Sequence, residues 1–299
     1  MASLNPKNFS FSFTDTQFAY AIIVPILLIE AALTGYPILY SLYISLGEVD
    51  PATGAVKLVG FTNYLSALKD PVVHESILRT FYFCSIATIG AVSLSLFLAL
   101  IMNENFTGRR VFRVIVLLPW ATSEFVSSLI WRTILSETYG VLNSILLSLK
   151  LINTYKVWLT EKYAMLWVVV VWLWHFAPLG AFFILSALQS IPQELYNAAK
   201  VDGAGVWKRF RNVTLPYIKY SLLIVLVLST MEAFRAFDVF YALTGGGPGM
   251  STEVLTFQIY RLQFQQLNFG YASAISYILL LISFALAMMY FVLLTRRRR

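Results

Sequence analysis

The chain has 299 residues, 59% of them hydrophobic and only 12% charged, with a formal net charge of +7 and a mean hydropathy of +0.72. A soluble domain of this size carries far more charge on its surface, so that class is excluded and membrane spans are indicated. One cysteine, Cys84, excludes a disulfide within the chain, and with only His74 and His175 beside it no multi-ligand metal site is expected.

Residues 1–17, MASLNPKNFSFSFTDTQ, are polar with a single Lys7, a poor leader, and the apolar run that follows is too long for a signal peptide. The first span is therefore expected to be retained as an anchor. A span needs roughly 20 apolar residues to cross about 30 Å of hydrocarbon. Six stretches qualify, at 18–46, 77–102, 111–135, 163–190, 217–243 and 270–295, and the third is interrupted by Pro119, Glu124 and Arg132. The expectation is an all-α integral membrane domain over 18–295. In the loops, GFTNYLSALKD places Phe61, Tyr64, Leu65 and Leu68 at helical spacing, and SETYGVLNSILLSL at 136–149 is similar, so both read as interfacial helices outside the bilayer.

An even span count puts both termini on one side. That side carries Lys7, Arg109, Arg110, Arg113, Lys200, Lys208, Arg209, Arg211, Lys219 and Arg296 to Arg299, thirteen basic residues. The other side carries seven: Lys57, Lys69, Arg79, Lys150, Lys156, Lys162 and Arg261. The imbalance places both termini and the insert at 190–216 in the cytoplasm, with 296–299 a basic tail at anionic headgroups. The positive net charge is thus a topology signal and gives no support to nucleic-acid binding.

The insert SIPQELYNAAKVDGAGVWKRFRNVTLP reads as two short helices around a sharp turn. Ser190 and Gln193 form a capping box, Pro192 suits the first turn, and Glu194 sits where the helix dipole favours negative charge. Asp202-Gly203 is the turn. Val206, Phe210 and Val213 share one face of the second helix, and Leu215-Pro216 closes it before the fifth span. The small alanines leave room for another protein surface to approach.

These residues resemble the "EAA loop" of permease subunits in binding-protein-dependent ABC importers: Glu-Ala-Ala, three residues, Gly, nine residues, an aliphatic residue, one residue, Leu-Pro. Here Asn197-Ala198-Ala199, Gly203, Val213 and Leu215-Pro216 keep every spacing, with Asn197 standing where the family usually has Glu. LVGFTNYLSALKDP, LLPW at 117–120 and FDVFYALTGGGPGMSTEVLTFQIY at 237–260 are similar to the sugar branch, and Gly245-Gly246-Gly247-Pro248 to its maltose-transporter F-like or glycerol-3-phosphate permease A-like members. The resemblance implies a type I ABC importer permease fold of six helices in a prokaryotic cytoplasmic membrane. It implies a second, maltose-transporter G-like permease, two ATPase subunits, an external sugar-binding protein and a sugar as partners. ATPase coupling would fall to Glu194, Asn197, Ala198, Ala199, Asp202, Gly203, Phe210 and Pro216. The chain has no Gly-Lys pair and hence no P-loop, so ATP and Mg are expected on the partner, with this chain neither an enzyme nor the holder of a cofactor in that expectation.

Ionisable residues within a span cost about 2.5–3.5 kcal/mol each on insertion scales. Glu232, Arg235 and Asp238 recur every three residues in the fifth span, which fits either a hydrated sugar pathway or a structural salt-bridge ladder. Pro178 can kink the fourth span beside Trp172, Trp174, His175 and Phe176, and aromatic faces suit sugar rings. By analogy with the family, whose fourth and fifth spans touch sugar, the pathway residues are Trp174, His175, Phe176, Ser229, Glu232 and Arg235. Glu30 and Glu124 read as further buried acids with no role assigned. The sugar itself stays open among glucose, trehalose and maltose types, with glycerol-3-phosphate as the alternative solute. A secondary transporter would need two related halves, and none is visible. An intramembrane hydrolase would need a nucleophile with its base.

Overall fold

A computed structural model describes residues 14–296. Lys7 and the polar residues before Thr14, and Arg297 to Arg299 of the basic tail, lie outside the described residues. Among the described residues the fold is helical apart from one two-stranded hairpin.

Helix α1 (Asp15–Ser45) opens on a capping box in which Thr14 and Gln17 bond each other's backbone N–H through their side chains. A π turn at Ala31–Gly35 interrupts it. Glu30, expected to be buried, is exposed on its surface, because α1 packs only near its far end, against the last helix of the chain. Strands β1 (Gly47–Val49) and β2 (Val56–Leu58) pair antiparallel. Asn63 of the short helix α2 (Thr62–Ala67) donates to the carbonyls of Ser45 and Gly47, both at 3.0 Å, and ties this cap to the end of α1. Phe61, Leu65 and Leu68 are exposed, as an interfacial helix requires.

Helix α3 (Pro71–Asn103) starts six residues before the expected span because Asp70 caps it, accepting from Val72 N at 2.8 Å. The expected third span does not form one helix. It is broken into α4 (Arg109–Ala121) and α5 (Glu124–Ile134), whose axes differ by 98°. Pro119 lies in the last turn of α4, and Thr122 and Ser123 are extended. The Thr122 hydroxyl fixes the corner by donating to Pro119 O at 2.8 Å. Helix α6 (Val141–Ser148) belongs to a loop organised by the fully buried Asn143.

Helix α7 (Ala164–Gln189) runs into α8 (Gln193–Val201), and α9 follows at Val206–Arg235 with a π turn at Phe210–Thr214 inside it. The expected fifth span to residue 243 is shortened: α9 stops at Arg235, where Ala236 turns to an extended ψ of 122°, and a separate π turn follows at Phe240–Thr244. Helices α10 (Leu255–Tyr260) and α11 (Phe269–Arg296) complete the chain. Among the described residues five helices, α1, α3, α7, α9 and α11, are long and apolar enough to cross a membrane, and the bent pair α4–α5 makes six if it is one span.

The core lies where α3, α7 and α9 meet. Small residues set their spacing, as expected where packing replaces the hydrophobic effect. A Cβ on Gly180 of α7 would stand 2.9 Å from Val225 of α9 and closer still to Ser95 of α3. Ser95 donates to Ala177 O at 2.9 Å, a buried cross-helix bond beside Pro178.

Candidate functional site

The hairpin between α7 and α9 projects from one end of this bundle. Ser190 does not cap α8; its backbone is still helical and its Oγ donates to Ala187 O at 2.8 Å, closing α7 instead. Pro192 takes the N-cap place, and Gln193 reaches forward to Asn197 Oδ1 at 3.5 Å rather than completing a capping box. The turn after α8 is a full Schellman motif: Gly203 N bonds Lys200 O at 3.0 Å and Ala204 N bonds Ala199 O at 2.9 Å. Gly203 sits at the left-handed position, φ +71°.

Leu215-Pro216 does not close a separate second helix, because the π turn carries the helix through into the span. Tyr196 OH and Thr214 Oγ1, 2.9 Å apart, clip α8 to α9. Glu194, Asn197, Ala198, Asp202, Gly203 and Pro216 are exposed, and Ala199 and Phe210 are half-buried. The expected face of Val206, Phe210 and Val213 splits: Val206 is 76% exposed while the other two are half-buried. With Val201 at 88% and Trp207 at 71% exposed, Val206 forms an apolar tip on an otherwise charged hairpin. Val201 and Trp207 are absent from the sequence-based set; apolar residues on both sides of an Asp-Gly turn were the signal. Behind the hairpin a cleft of about 930 Å³ opens, walled by Asn103, Glu104, Tyr196, Lys200, Arg209 and Phe210.

The structure divides the expected pathway residues. Phe176 is buried and stacks on Trp172 with ring centres 4.9 Å apart, and Ser229 is fully buried with its hydroxyl on Leu226 O. Both are turned inward, because an apolar helix packed on several sides buries most of its residues. Trp174 borders an apolar cavity of about 280 Å³ with Leu98, Val116 and Pro119, and meets Trp131 edge-on at 5.9 Å. His175 shares a hydrogen bond with Pro119 O at 3.0 Å, bracing the corner of the broken pair.

Glu232 and Arg235 are exposed, and so are Asp238 and Tyr241, so every third residue from 232 to 241 is open. The acid–base–acid ladder is not formed. The ion pairs among the described residues are Arg79–Glu75 and Arg261–Glu253, because α9 ends at Arg235 and Asp238 lies beyond the break. Glu124 at the start of α5 lies within electrostatic reach of Asp238 and Glu232, and its Oε1 is buried without a hydrogen-bond partner. Tyr241 stacks on Phe125 at 6.1 Å and Phe237 at 5.4 Å, and Tyr260 crosses it at 5.1 Å. Three carboxylates thus converge beside an aromatic platform. Tyr241, Phe125 and Tyr260 escaped the sequence reading because three separate elements bring them together.

Comparison with known proteins completes the picture. The profile described as "Binding-protein-dependent transport system inner membrane component" matches residues 91–299. The chain belongs to that family. Among its relatives, the trehalose/maltose transport system permease protein MalF of Thermococcus litoralis is 35% identical, over 88% of this chain and 89% of that protein. The sulfoquinovosyl glycerol transport system permease protein SmoG of Agrobacterium fabrum is 31% identical over 92% and 90%. The sn-glycerol-3-phosphate transport system permease protein UgpA of Yersinia enterocolitica is 32% identical over 96% and 97%. In fold, a bacterial ABC transporter that imports alginate superposes with a TM-score of 0.81 at 21% identity, covering 93% of this chain and 95% of that one. This binding-protein-dependent permease is therefore an ABC transporter subunit with the type I importer fold, and its apolar helices form a multi-pass membrane domain.

Proposed function

We propose that this permease forms half of the translocation pathway of an ATP-driven importer for a neutral sugar, and that a separate ATPase drives it through the hairpin at 190–216. The observation that carries the reading is the apolar tip: Val201, Val206 and Trp207 stand out of the bundle on a turn made rigid by the Gly203 motif and the Tyr196–Thr214 clip. An exposed apolar patch rimmed by charge is the ordinary mark of a protein docking site. The hairpin residues Glu194, Asn197, Ala198, Ala199, Asp202, Gly203 and Phe210 surround it, with Pro216 in the helix that leads away. In this reading the bent pair counts as one span, six helices cross, and both termini with the hairpin and the 296–299 tail face the cytoplasm, in line with the distribution of basic residues. A second permease, two ATPase subunits carrying ATP and Mg, and an external binding protein complete the importer. A solved relative of similar fold is bound to a periplasmic protein carrying an alginate pentasaccharide.

The charge of the open strip supports a neutral solute. Glu232, Asp238 and Glu124 face it against Arg235, a balance that repels a phosphate or sulfonate, while Tyr241 offers an aromatic face to a sugar ring. Trehalose- and maltose-type sugars fit this better than glycerol-3-phosphate. The test is uptake into vesicles holding the complete importer. Trehalose, maltose or glucose should accumulate only with the ATPase subunit present, and glycerol-3-phosphate should not. Accumulation without the ATPase would make the protein a secondary transporter. A crosslinker placed at Ala199→Cys that captures no ATPase subunit would remove the docking role.

A further inference from the structure

A second concentration of buried polar groups lies at the opposite end of the bundle from the hairpin, where α10 meets the first turns of α3. Glu253, just before α10, is 1% exposed, and its carboxylate stands 2.7 Å from Arg261 Nη2. Arg79 of α3 is the other cation in electrostatic reach, and it also pairs with Glu75. Ser76 Oγ and Gln258 Oε1, both on fully buried side chains, have no hydrogen-bond partner, and neither do Arg79 Nη1 and Arg261 Nε. Helical spacing puts Ser76, Arg79 and Thr80 on one side of α3, and Leu255, Gln258 and Arg261 in register along α10 and its continuation. The two sides meet where Leu255 N donates to Thr80 Oγ1 at 2.9 Å.

A buried ion pair is a poor way to gain stability, since desolvation costs several kcal/mol per ion and an apolar replacement often does as well. The other side of α10 indicates what the pair is for. Thr256 Oγ1 donates to Ala236 O at 2.7 Å, the carbonyl at which α9 breaks off after Arg235. Tyr260 packs on Phe237 and Tyr241, with ring centres 5.2 and 5.1 Å apart. One short helix therefore touches the Glu253 clasp with one side and the open strip with the other.

We propose that Glu253 is a positioning residue for transport: its buried ion pair with Arg261 clasps the two ends of α10, the helix that Thr80 ties to α3, and so holds Tyr260, Tyr241 and the Ala236 break where the strip is formed. This rests on the importer reading above. The clasp fixes the outer wall of the solute route without touching solute, and its loss leaves the hairpin untouched.

The experiment uses the complete importer with its ATPase and binding protein, and the variants Glu253→Gln, Arg261→Gln and their combination. Each should keep its membrane level, its ATPase subunit and its basal ATP hydrolysis, while sugar uptake falls about tenfold. The combined variant should lose no more than about twofold beyond the worse single one, because both changes open the same clasp. A local readout needs no transport: in a Cys84→Ala background, the labelling rate of Tyr241→Cys by an impermeant maleimide should change at least about threefold when Glu253→Gln is added. Wild-type uptake in Glu253→Gln, losses that multiply in the combined variant, or an unchanged labelling rate would each overturn the proposal. Uptake that falls only in step with protein lost from the membrane would reduce Glu253 to a folding residue and overturn it as well. A wild-type complex that moves no sugar while the labelling rate responds as expected would instead sink the importer reading and leave the clasp standing.

Discussion

Substituting Gly203 isolates the rigidity of the hairpin from its contacts. A Cβ there would meet nothing within 4 Å, so a side chain fits in the space available and the whole penalty is conformational. With φ at +71°, an L-residue in the left-handed region costs roughly 1–2 kcal/mol, Asn less, and a β-branched residue most. At about 1.4 kcal/mol per tenfold, the population holding the native turn drops about 5- to 30-fold against open alternatives. Uptake by the reconstituted importer should therefore decline in the order Gly, Asn, Ala, Val at position 203, with the ATPase still bound. Gly205 is the control: it lies two residues away in an ordinary extended conformation, φ −65° and ψ 173°, also with open space around it. Gly205→Ser, which keeps a good helix cap, should transport like the wild type. Equal uptake in Gly203→Val and wild type, or equal damage from Gly205→Ser, would refute the claim that the left-handed turn keeps the apolar tip in place.

Tyr196→Phe removes the hydroxyl shared with Thr214 and should weaken the clip by about 0.5–1.5 kcal/mol, seen as fewer sugars moved per ATP with assembly unchanged. Gly180→Val forces methyl groups into Ser95 and Val225 at the crossing of α3, α7 and α9, an overpacking cost of about 1–3 kcal/mol that should lower the melting temperature and membrane level of the complex. Asn143 donates to Ser136 O and Lys156 O and accepts from Lys156 N and Trp158 Nε1. Asn143→Ala should therefore free the 136–158 loop, read as faster proteolysis there than in the wild-type permease, with the other loops cut at their usual rate.

What was legible in the sequence is what local chemistry alone decides. Asp202-Gly203 marked the turn because a left-handed residue after a helix is nearly always glycine, and the apolar runs marked α3, α7, α9 and α11 because length against bilayer thickness needs no tertiary knowledge. The 98° corner was half-written: Pro119, Glu124 and Arg132 flagged the run, yet only the extended Thr122-Ser123 pair bends it, and its composition stays apolar enough to span. Faces were the least readable. Around α7 and α9 nearly every position is apolar, so no periodicity separates the buried Phe176 and Ser229 from the open Trp174 and Glu232. Glu30 was misplaced for the same reason, since a carboxylate in an apolar run implies burial only if its own chain supplies the cover. The meeting of Glu124 with Asp238, and of Thr80 with Leu255, joins residues more than a hundred positions apart, beyond the reach of any spacing rule.

Because α9 is unbroken from Val206 to Arg235, thirty residues that rise about 1.5 Å each, it forms a rod of roughly 45 Å. Its near end carries Trp207 and Val206, and its far end stops beside Asp238 and the aromatic platform. A rod pushed sideways at one tip tilts about the point where packing holds it, and the opposite tip must answer unless its neighbours yield. In the importer proposed above, no chain of side-chain rearrangements is then required between the two ends: a stiff lever would deliver the stroke, with the packing around Gly180 as its fulcrum.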